Sequence, residues 1–135
     1  PRAAVENTCA ARASDHPLIA ALERSHGRGP LWRVMARAAD LAALLEGAAP
    51  TGRRPAPGTA LAPATRGLYA VRVATEGERV ADFARVTPTD HLQAPGGVLD
   101  GTLAALPADR AALAPLIMDI LDPCTPIRLE EAADA

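Results

Sequence analysis

The stretch PLWRVMARAADLAALLEG at residues 30–47 decides the fold of the N-terminal part of this chain. It begins with Pro30 and ends at Gly47, the positions at which proline starts and glycine stops a helix. Arg37, Asp40 and Glu46 are expected on its solvated side. The apolar side chains recur with a period of 3.6 and predict one buried stripe, formed by Leu31, Val34, Met35, Ala38, Leu41, Ala42 and Leu45.

A shorter helix is predicted just before this one. Ser14 and Asp15 can cap a helix whose first turn holds Pro17 and which stops at the GRG turn of residues 27–29. The two helices then form a helical hairpin. Residues 1–13 carry few large apolar side chains, so we expect an irregular lead-in there.

The rest of the chain has a different pattern. Residues 48–63, AAPTGRRPAPGTALAP, lack periodicity and predict a flexible connector. Two β-like runs at 68–74 and 79–86 flank the sequence TEGE and predict a β-hairpin. After these runs, Pro88 and Pro95 are expected to hold the chain extended.

Two short helices are predicted near the C-terminus, at residues 98–106 and from Pro115 to Pro123. The sequence therefore predicts an α+β fold in one domain. Residues 1–47 form a helical hairpin region, 48–63 a connector, and 64–135 a β-hairpin and C-terminal helix region.

Composition limits the classes of function. The net charge of -2 gives no attraction of the whole protein to nucleic acid or anionic lipid, so neither is an expected partner. The sequence contains no run of about 18 apolar residues, so no membrane span is predicted. Trp32, Tyr69 and Phe83 are the only aromatic residues. The core is therefore thin, and we expect the chain to be a fragment that depends on a partner or on further chain.

The two cysteines, Cys9 and Cys124, lie far apart and match no zinc-site spacing. We expect free thiols in a reducing, cytoplasmic compartment, with a disulfide between them as the alternative.

The passage LDPCTP at residues 121–126 carries the most unusual chemistry. Cys124 follows the last predicted helix, and Pro123 and Pro126 fix its direction. The helix C-terminus and Asp122 are both negative, which argues against a nucleophilic thiolate and is compatible with a ligand for a cation. The alternative is a buried structural cysteine, because one thiol is not a metal site.

The order of these motifs resembles the C-terminal part of nickel-iron hydrogenase large subunits. Those subunits carry an Arg-Gly before a β-hairpin, a Pro-Thr after it, a Pro-Gly, a helix, and then Asp-Pro-Cys-x-x-Cys-x-x-His. The same order here is given by Arg66-Gly67, the hairpin, Pro88-Thr89, Pro95-Gly96, the helix from Pro115, and Asp122-Pro123-Cys124.

Upstream, ENTCAAR at residues 6–12 is similar to the family's Glu-x-Gly-x-Leu-Ala-Arg. The stretches DHPL at 15–18 and RGL at 66–68 look closest to the HupK-type hydrogenase expression proteins, which are large-subunit relatives without enzymatic competence. The resemblance implies that the chain folds like part of the large subunit.

The resemblance also implies a site. Cys124 takes the place of a terminal nickel ligand, and Arg66 takes the place of the arginine beside the diatomic ligands of the iron. Pro88 and Thr89 match the segment that offers a backbone and a hydroxyl donor to a cyanide. Asp122 matches the acid that orients the arginine and the cysteine loop. A guanidinium and a hydroxyl can both donate to cyanide nitrogens.

Departures from the family pattern indicate the function. The second cysteine of the family falls at Ile127, its histidine falls at Glu130, and the N-terminal Cys-x-x-Cys is absent from these residues. At most one of four thiolates survives, and isoleucine cannot bind a soft metal. The resemblance therefore implies a protein that is not an enzyme.

Such a protein would be a scaffold or chaperone in hydrogenase maturation. It would hold an iron carrying cyanide and carbon monoxide transiently, without nickel, and its partners would be hydrogenase maturation proteins or the large subunit. The alternatives are an interaction module without metal and a fragment of a catalytic large subunit.

Each residue also has an ordinary interpretation. Arg66 can be a surface arginine at a strand start, and Thr89 a turn residue bonded to its own backbone. His91 is expected to be a lone exposed histidine, and Cys9 a packing residue.

Overall fold

Residues 4–128 are described by a computed structural model of the chain. They contain six α-helices: α1 (Cys9–Ala13), α2 (Pro17–His26), α3 (Pro30–Leu45), α4 (Pro88–Leu92), α5 (Val98–Ala104) and α6 (Ala114–Leu121). A 3-10 helix, Ala108–Leu113, leads into α6. One antiparallel sheet has the strands in chain order: β1 (Arg53–Ala56), β2 (Thr59–Ala64), β3 (Gly67–Glu76) and β4 (Arg79–Val86). The predicted α+β class is confirmed.

Helix α2 ends where it was predicted to end, because Gly27 adopts a positive φ of 71° and its N–H bonds the carbonyl of Glu23. Its predicted N-terminal cap is wrong. His16, not Ser14 or Asp15, is the N-cap, and its ring nitrogen accepts from the N–H of Leu18 at 3.2 Å. Ser14 is unable to serve because it closes the preceding helix.

That preceding helix, α1, occupies part of the segment expected to be irregular. Thr8 caps it by accepting from the N–H of Ala10 at 3.1 Å. Its small residues allow close approach to α3, so that Ala10 and Ala13 join the buried cluster with Ile19 and Trp32. The small alanine side chains of this segment therefore let α1 pack closely against α3.

The buried face of α3 differs from the predicted stripe. Trp32 and Ala36 are buried, because α1 and α2 pack on their side. The predicted stripe is largely exposed, and Leu45 at its end is 81% exposed. Asp40, expected on the solvated side, is instead paired with Arg12 at 2.6 Å. The sequence of α3 has more than one apolar face and does not show which of them is buried. The packing of α1 and α2 decides that the face with Trp32 and Ala36 is buried.

The expected flexible connector is also corrected, because residues 53–64 form the hairpin β1–β2. Gly58 turns this hairpin with φ 68°, and a Cβ there would lie 2.4 Å from the carbonyl oxygen of Val73. Backbone pairing with β3 orders a segment that has no apolar periodicity of its own. The predicted β3–β4 hairpin is confirmed, with Gly77 at φ 59° in its turn.

The region after β4 was expected to be extended, but it forms α4. Thr87 is the N-cap of a complete capping box with Asp90, and Pro88 occupies the first helical position. Proline restricts the residue before it and starts the helix itself. Helices α5 and α6 confirm the two C-terminal predictions, and they pack with α4 around Leu92, Ile117 and Leu121. Within residues 4–128, no helix is long and apolar enough to cross a membrane.

Candidate functional site

Arg66 lies in the short turn between β2 and β3 and reaches the end of α6. Its Nε donates to the backbone carbonyl of Asp122 at 2.7 Å, and its Nη2 donates to Oδ1 of the same residue at 3.0 Å. The hydrogen bond and the charge of Asp122 raise the pKa of Arg66 above its usual value. The structure therefore brings Arg66 and Asp122 into direct contact.

The backbone of Asp122 reverses the chain. Its φ of 49° and ψ of 57° place it in the left-handed region, and its N–H bonds the carbonyl of Met118 to close α6. Aspartate tolerates this conformation better than most residues. From α3, Arg37 donates to the carbonyl of Ile120 at 2.9 Å and lies 3.9 Å from Oδ2 of Asp122. Arg66 and Arg37 therefore both contact the chain reversal from which the loop with Cys124 begins.

Cys124 is bound to α4 through Thr89. The hydroxyl of Thr89 donates to Sγ of Cys124 at 2.9 Å and accepts from the backbone N–H of Cys124 at 3.1 Å. Thr89 is buried, while Cys124 is exposed. Pro88 opens α4 and so places Thr89 in its first turn. The turn-residue interpretation of Thr89 is wrong, since its hydroxyl bonds a residue 35 positions away.

The capping box of α4 fixes this threonine. Asp90 accepts from the N–H of Thr87 at 2.6 Å, and the hydroxyl of Thr87 accepts from the N–H of Asp90 at 3.2 Å. The hydrogen bond from the Thr87 backbone lowers the pKa of Asp90. The charged form of Asp90 therefore supports the helix turn that presents Thr89.

Two residues that hold the Arg66 turn, Asn7 and Arg12, were not predicted from the sequence. Asn7 receives the N–H of Leu68 at 2.7 Å and donates to the Leu68 carbonyl at 2.9 Å. Arg12 donates to the carbonyls of Ala64 at 3.0 Å and Gly67 at 3.1 Å while it pairs with Asp40. Both residues belong to the segment ENTCAAR at 6–12, and its similarity to a family motif is the signal by which the sequence could have indicated them.

Gly67 shows why the turn has the sequence Arg-Gly. Its φ is 149°, and a Cβ would lie 2.3 Å from the backbone oxygen of Asn7. Only glycine allows the N-terminal segment to pass so close to β3. Arg66 is thereby presented on a turn whose backbone is contacted from two sides.

Both cysteines are free thiols. Cys9 is buried and donates to the carbonyl of Thr65 at 3.0 Å, which agrees with a packing role. A cavity of about 590 Å³ opens between α3 and β2, and Cys9, Arg12 and Asp122 are among its lining residues. Of the predicted site residues, Asp122 lines this cavity, while Arg66, Thr89 and Cys124 are not among its lining residues.

As a metal site, this arrangement is incomplete. The described part of the chain contains no group of three His, Cys, Asp or Glu side chains that could hold a metal ion. The guanidinium of Arg66 and the buried hydroxyl of Thr89 are donors that suit the anionic ligands of a metal group. The exposed thiol of Cys124 is the one group of the three that suits the metal itself. Glu130, where the family has its histidine, lies outside the described residues.

His91 does not match its expected exposure. It is partly buried, and its Nδ1 is buried without a hydrogen-bond partner among the described residues. It follows Thr89 by two residues in α4 but lines a different cavity, of about 470 Å³. The structure therefore places His91 in a pocket between the N-terminal segment and the sheet.

Comparison with known proteins gives one informative relative. The chain is 48% identical over 132 residues to the hydrogenase expression/formation protein HupK of Rhodobacter capsulatus, and the match covers 98% of the chain. This chain is a relative of the HupK-type hydrogenase expression/formation proteins. It spans 45% of the length of that relative, less than half.

No family model matches the sequence. No solved structure matches the fold significantly, so the likeness to part of the hydrogenase large subunit stays a prediction. The HupK-type resemblance therefore stands on the sequence match, and the site stands on the geometry described above.

Proposed function

We propose that this chain is a non-catalytic factor in the maturation of nickel-iron hydrogenase. The name of its relative, a hydrogenase expression/formation protein, supports this role at a general level. We further propose that the chain binds, as cargo, an iron carrying cyanide and carbon monoxide, and that a maturation protein or the hydrogenase large subunit receives it.

The observation that carries the proposal is the contact between Thr89 and Cys124 at 2.9 Å. Cys124 is the exposed one of the two cysteines in the chain, and it lies on a loop that begins at Asp122, the residue bonded by Arg66. A soft thiolate suits an iron with strong-field ligands. The thiol of Cys124 would supply one bond to the iron and could release it, because no second sulfur is bound with it.

Arg66 and Thr89 would recognise the cyanides. A guanidinium carries five N–H donors, and Asp122 engages only two of the nitrogens of Arg66. The hydroxyl of Thr89 can turn from Sγ to a cyanide nitrogen, since hydroxyl hydrogens rotate freely. Both groups remain donors while the metal is held by the thiol, so binding of the anionic ligands and of the metal is divided among different residues.

The incomplete donor set agrees with transient binding rather than catalysis. Redox chemistry at a nickel-iron centre needs several thiolates, and Ile127 offers a hydrocarbon side chain where the family has a cysteine. Nickel is therefore not expected to bind. A carrier site with one thiol can release its cargo to a site with more thiols.

The test is infrared spectroscopy and iron analysis of the full-length protein purified without oxygen. We expect iron together with cyanide and carbon monoxide stretching bands, and loss of both in Cys124→Ala. Cys9→Ala is the matched control, because Cys9 is buried and bonded to Thr65, and it should keep the bands. Unaltered protein without iron or bands, or a Cys124→Ala protein that retains them, contradicts the proposal.

A second pair of variants tests the role of Arg66. Arg66→Lys should shift the cyanide bands while keeping the iron, because lysine retains the charge but loses the planar donor array. Arg72→Lys, at an exposed arginine paired with Asp82, should leave the spectrum unchanged. Identical spectra for both variants would assign Arg66 to the structure of the turn alone.

A further inference from the structure

The face of α3 that points away from the core has the spacing of a helix-pairing seam. Its residues recur at alternating intervals of three and four: Leu31, Val34, Ala38, Leu41 and Leu45. This a/d repeat is typical of a helix that packs lengthwise against a second helix. The opposite face of α3 is already buried through Trp32 and Ala36. Helix α3 is thus apolar on two sides, which is typical of a helix inside a larger core.

The seam is exposed among the described residues. Leu31 is 50% exposed, Leu41 is 56% exposed and Leu45 is 81% exposed.

Charge indicates what kind of surface covers the seam. Arg37 flanks its middle with 44% of its side chain exposed. Its Nη2 donates to the carbonyl of Ile120 at 2.9 Å and lies 3.9 Å from a carboxylate oxygen of Asp122, which leaves further N–H donors of the guanidinium for a carboxylate on the covering element. An α-helix with its own apolar stripe and one acidic residue fits both features.

A second copy of the chain fits less well. Antiparallel pairing about Ala38 brings the two Arg37 residues together, and like charges repel. Parallel pairing places Arg37 opposite Ala42 of the other copy, again without a carboxylate. A membrane surface also fits poorly, because helices that lie on lipid carry several basic residues. Of the two arginines on α3, Arg33 is paired with Glu6 at 2.6 Å and is almost buried, so Arg37 is left as the basic residue beside the seam.

We propose that this seam is covered permanently by an α-helix from another part of the same polypeptide, outside these 135 residues. The relative is about twice as long as the matched region, so a protein of this type has chain to supply the helix. A transient partner would be expected to meet a more polar surface than five aliphatic side chains in a row. The covering helix carries large apolar side chains at three- and four-residue spacing and a carboxylate facing Arg37.

Photo-crosslinking in the full-length protein tests this inference. The photoreactive residue p-benzoylphenylalanine replaces Leu31 in one variant and Leu45 in another, and mass spectrometry maps the crosslinked peptides. These two positions are about 21 Å apart along α3. We expect both crosslinks to fall within one polypeptide, on one segment outside the 135 residues, at sites about 14 residues apart. An aspartate or glutamate should lie between the two sites.

Controls and contrary outcomes are defined by the same chain. Phe83 on β4 is 57% exposed and off the seam, so the photoreactive residue there should not label that segment. Leu41→Glu should reduce the yield at position 45 at least fivefold, while Val80→Glu on β4 should not. Crosslinks to a second copy, to a different protein, to lipid, or within the 135 residues would each overturn the inference, as would no crosslink. None of these outcomes depends on iron, so the result is separate from that of the spectroscopic test.

Discussion

The buried hydroxyl of Thr89 bonds both the thiol and the backbone N–H of Cys124, at 2.9 Å and 3.1 Å. One side chain thereby fixes the position of the sulfur and of the loop that carries it. Arg66 reaches the same loop through Asp122. Three segments distant in sequence therefore meet at one thiol, and changes in each should be detectable there.

Replacement of Thr89 by valine should loosen the Cys124 loop. Valine has a similar shape but removes both hydrogen bonds, and we expect a loss of about 1 kcal/mol in the free energy of unfolding, since the exposed loop can recover bonds to water. Thiol modification kinetics should show faster reaction of Cys124. Thr89→Ser keeps the hydroxyl and should preserve the slow rate, and equal rates in both variants would contradict this role.

The Arg-Gly turn should reject any side chain at position 67. Gly67→Ala places a Cβ against the backbone oxygen of Asn7 at a φ that disfavours alanine, and should destabilise the protein by about 3 kcal/mol. Urea denaturation measures this. Gly101→Ala is the control, since it lies in α5 with open space around it and should stabilise by about 0.5–1 kcal/mol. A neutral Gly67→Ala would show that the N-terminal segment yields.

Loss of Arg12 should destabilise the fold more than loss of an exposed arginine such as Arg72. It bonds Asp40 and two carbonyls, with 21% of its side chain exposed, and its partner is 12% exposed. Arg12→Ala leaves those acceptors unpaired and should cost about 3 kcal/mol. Arg72→Ala removes a pair that is more than half exposed, and should cost less than about 0.5 kcal/mol. Similar losses in the two variants would contradict this ranking.

Acid should weaken the start of α4. The pKa of Asp90 is lowered in the folded protein from an ordinary value of 3.8, chiefly by the hydrogen bond from the Thr87 backbone. A lowered folded pKa stabilises above the unfolded value, and this stabilisation is lost as the pH falls through the folded pKa.

The same capping box supplies the comparison. Unaltered protein should be more stable than Asp90→Asn at pH 7, and the difference should fade below about pH 3.8, as seen in denaturation curves across this range. Asp15→Asn, at an exposed aspartate, should show no such difference. A gap between unaltered protein and Asp90→Asn that persists in acid would assign the effect to packing.

Local signals made much of the fold predictable. Helices α2, α3, α5 and α6 and the β3–β4 hairpin carry proline, glycine or periodic signals within the segment itself. Three segments were mispredicted: α1, the β1–β2 hairpin and α4. Contacts with distant residues order α1 and the β1–β2 hairpin. Pro88 was expected to keep the chain extended, but it starts α4. Residues 53–64 form a hairpin because β2 pairs with β3 through backbone hydrogen bonds.

The amino-acid sequence determined which chemical groups could meet, since Arg66, Thr89, Asp122 and Cys124 stand in it in the order that resembles the hydrogenase large-subunit pattern. Only the tertiary structure decided which groups do meet, and which face of α3 is covered by this chain. The physical reason is that a periodic pattern specifies that a face is apolar, while the choice between two apolar faces depends on close packing of small side chains that lie far away in the sequence.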